Sequence, residues 1–187
     1  MFGWEREKMP KPQFCNINNK VAEIIRVNHA GEYGAKRIYE GQLKYLRDVA
    51  DASLINSMLE QEKKHLDYFS TQLIKRKIRP TALMTFWHLG GYALGAASSL
   101  FGLKVAMLIT QAVEEVIEGH YQEQLDYLNS IDEEKELCNN IKKFLDDEVE
   151  HKNIAIDRDS EKAFLAPVIS CIVKNICRLS INLSKKI

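Results

Sequence analysis

Two stretches of this chain limit what it can fold into. Ile55, Leu59, Glu62, Leu66, Phe69 and Leu73 step by four and three residues, and so do Leu137, Ile141, Phe144, Glu148, His151 and Ala155. Such steps put side chains on one face of an α-helix. Each face is apolar, and each is broken midway by a glutamate. A histidine follows that glutamate by three residues in both, as Glu62-x-x-His65 and Glu148-x-x-His151. A helix with such a face buries it against other helices, and the glutamate is buried with it.

A buried carboxylate without a partner costs several kcal/mol or takes up a proton. Two further helices carry the same anomaly. Leu103, Met107, Thr110, Glu114, Ile117, Tyr121, Leu125 and Leu128 make a third seam with Glu114 at its middle. Ile25, Asn28, Glu32, Ala35 and Tyr39 share a fourth face, on which Glu32 is the only carboxylate. Glu32 precedes Glu62 by 30 residues and Glu114 precedes Glu148 by 34, so each half of the chain offers Glu and then Glu-x-x-His. Four carboxylates meeting in one core repel each other, and two multivalent cations relieve that repulsion. Carboxylate oxygens with imidazole suit iron or manganese. The same ligand arrangement is the pattern of ferritin-like di-iron bundles. The expected metal ligands are therefore Glu32, Glu62, His65, Glu114, Glu148 and His151.

The other candidates rank lower. Glu60, Glu115 and Glu150 fall off the seams and read as solvated groups or neighbours of the site. Glu118 lies one turn from Glu114 and is not separated from the ligands by position. His29 and His120 read as packing or hydrogen-bonding groups. Tyr121, two turns from Glu114, is either core or a hydrogen-bond partner beside the site.

The expected fold is all-α, a ferritin-like four-helix bundle spanning about 19–157. Its helices run from about Asn19 to Asp48, Ser53 to Lys77 (ending before Pro80), Gly102 to Leu128 and Asp132 to Asp157. Ser130 and Glu133 form a capping box at the start of the last. Short connections make the first two and the last two antiparallel hairpins. Two apolar additions stand out. Residues 81–103 contain no Asp, Glu, Lys or Arg and are long enough to span a bilayer. A single span there would hold Glu62 and Glu114 roughly 30 Å apart, on opposite sides of the membrane. The segment is therefore read as a crossover helix lying along the bundle, with glycines at 90, 91, 95 and 102 interrupting any rigid span and an apolar face left for lipid or a partner. In residues 163–187, Lys174, Arg178 and Lys185 form one stripe, and Ile169, Ile172, Val173, Ile176, Leu183 and Ile187 form the other side. This reads as a basic amphipathic helix in a membrane interface, and implies a lipid-soluble substrate.

The chain's 187 residues make one domain, 1–187. Its formal net charge of zero argues against nucleic-acid binding. Cys15, Cys138, Cys171 and Cys177 form no CxxC pair and read as reduced thiols. Met1–Phe14 resembles neither a secretory signal nor an Arg-rich transit peptide.

The run from Ile24 to Ala35 (IIRVNHAGEYGA) resembles the first metal-ligand helix of the demethoxyubiquinone hydroxylase family. So do Gln61-Glu62-Lys63-Lys64-His65, Arg79-Pro80-Thr81, the Gly-Tyr-Ala-Leu-Gly-Ala run at 91–96, Ala112-Val113-Glu114-Glu115 and Asp147-Glu148-Val149-Glu150-His151. The similarity covers about residue 21 to the C-terminus. It departs at Asn28, a position often Asp in relatives. The resemblance implies a di-iron monooxygenase of ubiquinone biosynthesis that hydroxylates the ring of a polyprenyl methoxy-methyl-benzoquinol. It places Glu32, Glu62 and His65 on one iron and Glu114, Glu148 and His151 on the other, with Glu62 and Glu148 bridging. It implies O2 as co-substrate and NADH as electron donor, although no nucleotide-binding Gly-rich loop is present. Ala30, Gly31, Gly34 and Ala35 flank Glu32 and either leave room for the ring or allow close helix packing. The expected location is peripheral, on the cytoplasmic face of a bacterial inner membrane, or else on the matrix side of the mitochondrial one. The partners implied are the membrane surface, the quinol lipid, and either a second copy of the chain or a lipid-binding protein of the same pathway. The rival readings are a membrane-associated di-iron quinol oxidase and a ferritin-like iron-binding protein.

Overall fold

A computed structural model of the protein describes residues 18–186. Cys15, the Met1–Phe14 segment and Ile187 of the C-terminal stripe lie outside the described residues. Among the described residues six α-helices follow one another: α1 (Asn19–Gln42), α2 (Val49–Arg76), α3 (Met84–Leu100), α4 (Leu103–Ile131), α5 (Lys135–Asp157) and α6 (Ala166–Ser184). There is no strand among the described residues. The helices α1, α2, α4 and α5 form the bundle, α3 lies along α1, and α6 packs on α4.

Local chemistry explains where the helix ends differ from expectation. α1 stops at Gln42 rather than near Asp48, because Asp48 caps the next helix: its carboxylate accepts from the Asp51 N–H at 3.0 Å. α2 therefore starts at Val49, earlier than Ser53. It ends as expected ahead of Pro80, with Lys77 at φ 54° and the Ile78 N–H donating to Leu73 O at 2.9 Å. The capping box is not formed. Ser130 lies inside α4 and bonds back to Tyr127 O, and α5 starts at Lys135 without a side-chain cap. The neighbouring Glu134 takes a long-range role instead, as a bidentate acceptor of the Arg76 guanidinium at 2.7 and 2.8 Å.

Two apolar clusters fill the bundle. One gathers Ile25, Phe69, Tyr121, Leu125, Leu137, Ile141 and Phe144, and the other Tyr39, Ile55, Met58, Leu59, Met107 and Ala155. On every bundle helix the glutamate of the seam falls between its residues of the first cluster and its residues of the second. Leu66 is the one α2 seam residue that is only half-buried, while its neighbour His65 is buried.

The crossover runs on without interruption through Gly90, Gly91 and Gly95. Glycine there serves close approach: a Cβ on Gly95 would collide with Ile38 O, and one on Gly41 with Tyr92 O. Gly102, at φ 95°, turns the chain from α3 into α4. α6 differs from the expected stripe. Lys174 is turned toward the bundle and pairs with Glu115, while Ile172, Ile176 and Leu183 face outward and Val173 is buried. Of the fifteen large apolar side chains exposed among the described residues, eleven fall within 86–101 and 164–183. α6 is the one described helix long and apolar enough to cross a membrane by length and composition.

Candidate metal centre

Each bundle helix delivers its mid-seam glutamate to the gap between the two clusters. Glu32 comes from α1, Glu62 and His65 from α2, Glu114 from α4, and Glu148 and His151 from α5. All six are buried, none more than 3% exposed. They make two overlapping groups, Glu32-Glu62-His65-Glu148 and Glu62-Glu114-Glu148-His151, within each of which the ligand atoms lie no more than 4.8 Å apart. Glu62 and Glu148 belong to both groups, as bridging residues would. His65 Nδ1 lies 3.6 Å from Glu32 and 3.2 Å from Glu148, and His151 Nδ1 lies 3.2 Å from both Glu62 and Glu148.

A further layer of hydrogen bonds aims these groups. His65 Nε2 donates to Asp147 Oδ2 at 2.9 Å, and His151 Nε2 donates to Gln61 Oε1 at 2.9 Å. Fixing the proton on Nε2 turns each Nδ1 lone pair inward. The Tyr39 hydroxyl donates to Glu114 at 2.8 Å, and the Tyr121 hydroxyl donates to Glu32. These pairs extend the repeat. Each tyrosine stands seven residues after the glutamate of its own helix and bonds to the glutamate of the opposite one. Asp147 and Gln61 each precede a shared glutamate and orient the histidine of the other half. Farther out, the Asn28 and Gln124 amides exchange hydrogen bonds at 2.7 Å, so Asn28 has a neutral partner. Tyr39, Gln61 and Asp147 carry no assigned role on seam position alone. The repeated Glu-to-Tyr spacing of seven is the sequence signal that points to Tyr39.

Without a cation the cluster neutralises itself by moving protons. Burial, followed by the charge of Glu148, raises the pKa of Glu62 and Glu114 well above the usual carboxylate range. Burial also opposes the charged form of Glu148, but the hydrogen bond from His151 and the close imidazole of His65 outweigh it and hold its pKa at about 2. Burial would lower His65, yet the carboxylates of Glu148 and Glu32 beside it push it up to about 12. Even so, polar capacity is left over. Both oxygens of Glu62, Oε1 of Glu148 and Nδ1 of His65 are buried without a hydrogen-bond partner. Their contacts are short but poorly aligned for hydrogen bonding. Unsatisfied oxygens and an imidazole nitrogen converging in one buried place fit a metal pair that takes the place of the protons, and the O/N donor set fits iron.

The remaining candidates fall outside this cluster. Glu60 pairs with Lys63, Glu115 with Lys174 and Glu118 with Lys152; Glu150 is exposed. His29 and His120 are half-buried and belong to neither group. An apolar cavity adjoins Glu32 and Tyr121, walled by Gly31, Gly34, Ala35 and Trp87.

Comparison with known proteins identifies the family. Residues 19–184 match the family described as "Ubiquinone biosynthesis protein COQ7". A Dictyostelium discoideum protein named "NADPH-dependent 3-demethoxyubiquinone 3-hydroxylase, mitochondrial" is 45% identical over 168 residues, covering 89% of this chain and 77% of its own length. The Homo sapiens protein of the same name is 45% identical over 169 residues, covering 89% and 78%. A Rhodospirillum rubrum "3-demethoxyubiquinol 3-hydroxylase" is 40% identical over 168 residues, again covering 89% and 78%.

Proposed function

Because the chain belongs to the COQ7 family of ubiquinone biosynthesis proteins, we propose that it hydroxylates the ring of a polyprenyl demethoxyubiquinol at a di-iron centre. One observation carries this reading beyond family membership: two overlapping carboxylate–histidine groups share Glu62 and Glu148 and leave buried oxygens unsatisfied. Glu32, Glu62 and His65 would hold one iron, and Glu114, Glu148 and His151 the other. Iron bound there supplies the stepwise electron transfer that activates O2.

The chain's own residues do the rest. Asp147 and Gln61 hold the Nε2 protons of His65 and His151, which keeps each Nδ1 lone pair available. Tyr39 and Tyr121 fix the carboxylates of Glu114 and Glu32. The cavity beside Glu32 takes the quinol ring, and its apolar walls keep water from the reacting carbon. The reaction balances as ring C–H to ring C–OH, with the second oxygen atom leaving as water. It consumes two electrons and one proton, the equivalent of a hydride, from a reduced nicotinamide nucleotide, and a second proton from solvent. The donor is NADPH rather than NADH, by analogy with the relatives named for it. The exposed apolar residues of α3 and α6 rest on the membrane that holds the lipid substrate. In a eukaryotic source that membrane is mitochondrial, after the same relatives' names; in a bacterium it is the inner membrane.

Incubation of the iron-loaded protein with a short-chain demethoxyubiquinol, NADPH and isotopically labelled O2 tests the proposal. A hydroxyquinol carrying one labelled oxygen is expected. Oxidised quinone with all of the label in water would make the protein a quinol oxidase instead.

A further inference from the structure

The cavity beside Glu32 is apolar over most of its wall, yet three side chains in that wall carry buried polar atoms with no hydrogen-bond partner. They are Ser184 Oγ, Trp87 Nε1 and His120 Nε2. They come from three helices, α6, α3 and α4, and none belongs to the carboxylate cluster. Ser184 has 0% exposure. A buried serine in a helix ordinarily donates to a carbonyl one turn back, as Ser98 does to Gly95 O at 2.7 Å. Ser184 makes no such bond. Native structures rarely leave one buried donor unsatisfied, and three around one cavity call for a functional explanation.

We propose that Ser184 and Trp87 recognise the quinol headgroup, their O–H and N–H donating to oxygen atoms on the ring. The inference rests on the reading of this cavity as the ring site and adds the groups that distinguish an oxygen-bearing ring from a hydrocarbon of equal size. Both groups are donors, and the hydroxyl and methoxy oxygens of such a ring accept hydrogen bonds, as do the carbonyl oxygens of its oxidised quinone form, so the two sets match. The free volume is about 40 Å³, room for little more than water. The ring therefore enters by moving a wall, and half-buried Trp87 is the member placed to move. Its indole lies against Gly34, where a Cβ would stand 2.6 Å from Cε3. Gly34 thus provides the berth that keeps the indole at the cavity.

The test compares wild type, Ser184→Ala and Trp87→Phe as full-length, metal-loaded proteins. Equilibrium dialysis measures binding of two probes: a short-prenyl methoxy-methyl-benzoquinone, and a prenylated methylbenzene of similar size without ring oxygens. Each variant is expected to bind the quinone about fivefold to tenfold more weakly, the loss of one hydrogen bond, and the hydrocarbon unchanged. Ser184→Ala is also expected to leave the melting temperature of the free protein unchanged or higher, because its hydroxyl has no partner to lose. Equal losses for both probes, no loss for the quinone, or a lower melting temperature in Ser184→Ala would overturn the proposal. Wild-type protein that binds no quinone at all would instead overturn the ring-site reading beneath it.

Discussion

Replacing Glu62 by methionine is expected to stabilise the metal-free protein, the reverse of what a buried core substitution usually does. Glu62 is completely buried, and neither of its oxygens has a hydrogen-bond partner. Burial and the charge of Glu148 keep it protonated, so the group removed is a neutral carboxyl rather than a charge. Leaving such a group unsatisfied costs about 1–3 kcal/mol, and methionine of similar length removes that cost without opening a cavity. A domain of this size gains about 2–4 °C in melting temperature per kcal/mol, so Glu62→Met should melt about 2–12 °C above wild type after chelation. Adding ferrous iron anaerobically should reverse the order. Wild type then gains stability by mass action, while the variant, without a residue shared by both metal groups, gains far less. Calorimetry of both proteins with and without iron is the assay. A metal-free Glu62→Met protein that melts at or below wild type would refute the reasoning, because it would show that Glu62 is satisfied within the protein.

Tyr39→Phe and Tyr121→Phe each remove one donor to a proposed ligand carboxylate, and each should weaken iron binding about 10–100-fold in a competitive chelator titration. Gly95→Ala should cost more than about 3 kcal/mol in urea denaturation, because its Cβ meets the Ile38 carbonyl and the α1 and α3 backbones must separate. Gly119 is exposed, and a Cβ there would meet nothing within 4 Å, so Gly119→Ala should stabilise α4 by about 0.5–1 kcal/mol. Burial, reinforced by Lys185 and Lys20 and opposed by Glu23, lowers the pKa of His120 to about 4, with Glu123 at 3.9 Å its nearest acidic neighbour. The folded state resists a proton that the unfolded chain accepts near pH 6.5. The His120 contribution is therefore complete above pH 6.5 and falls by up to about 1.4 kcal/mol per pH unit as the pH drops toward 4. Urea denaturation across that range should show a slope that His120→Asn reduces.

The bundle and its inward-facing carboxylates were legible because burial makes a glutamate in an apolar seam conspicuous. Glu32, Glu62, Glu114 and Glu148 stand out against Ile25, Leu59, Met107 and Ile141, and helical spacing attaches His65 and His151. Other features depend on partners distant in sequence. Gln61 and Asp147 read as ordinary polar residues until α2 and α5 are set side by side. Glu134 leaves its helix end to meet Arg76 across the bundle, which no local capping rule anticipates. The glycines of α3 look like helix breakers in isolation; pressed against α1 they allow close approach. The stripe pattern of α6 misleads because Lys174 finds Glu115, which turns the helix so that several of its apolar residues face outward.

Mössbauer spectroscopy of the iron-loaded, oxidised protein, with iron counted per chain, tests the central claim most directly. If Glu62 and Glu148 join two metal positions, about two ferric ions per chain should appear as one spin-coupled pair with a diamagnetic ground state, and Glu148→Ala should lose that signal. A single ion per chain, two uncoupled paramagnetic ions, or an unchanged spectrum in Glu148→Ala would contradict it.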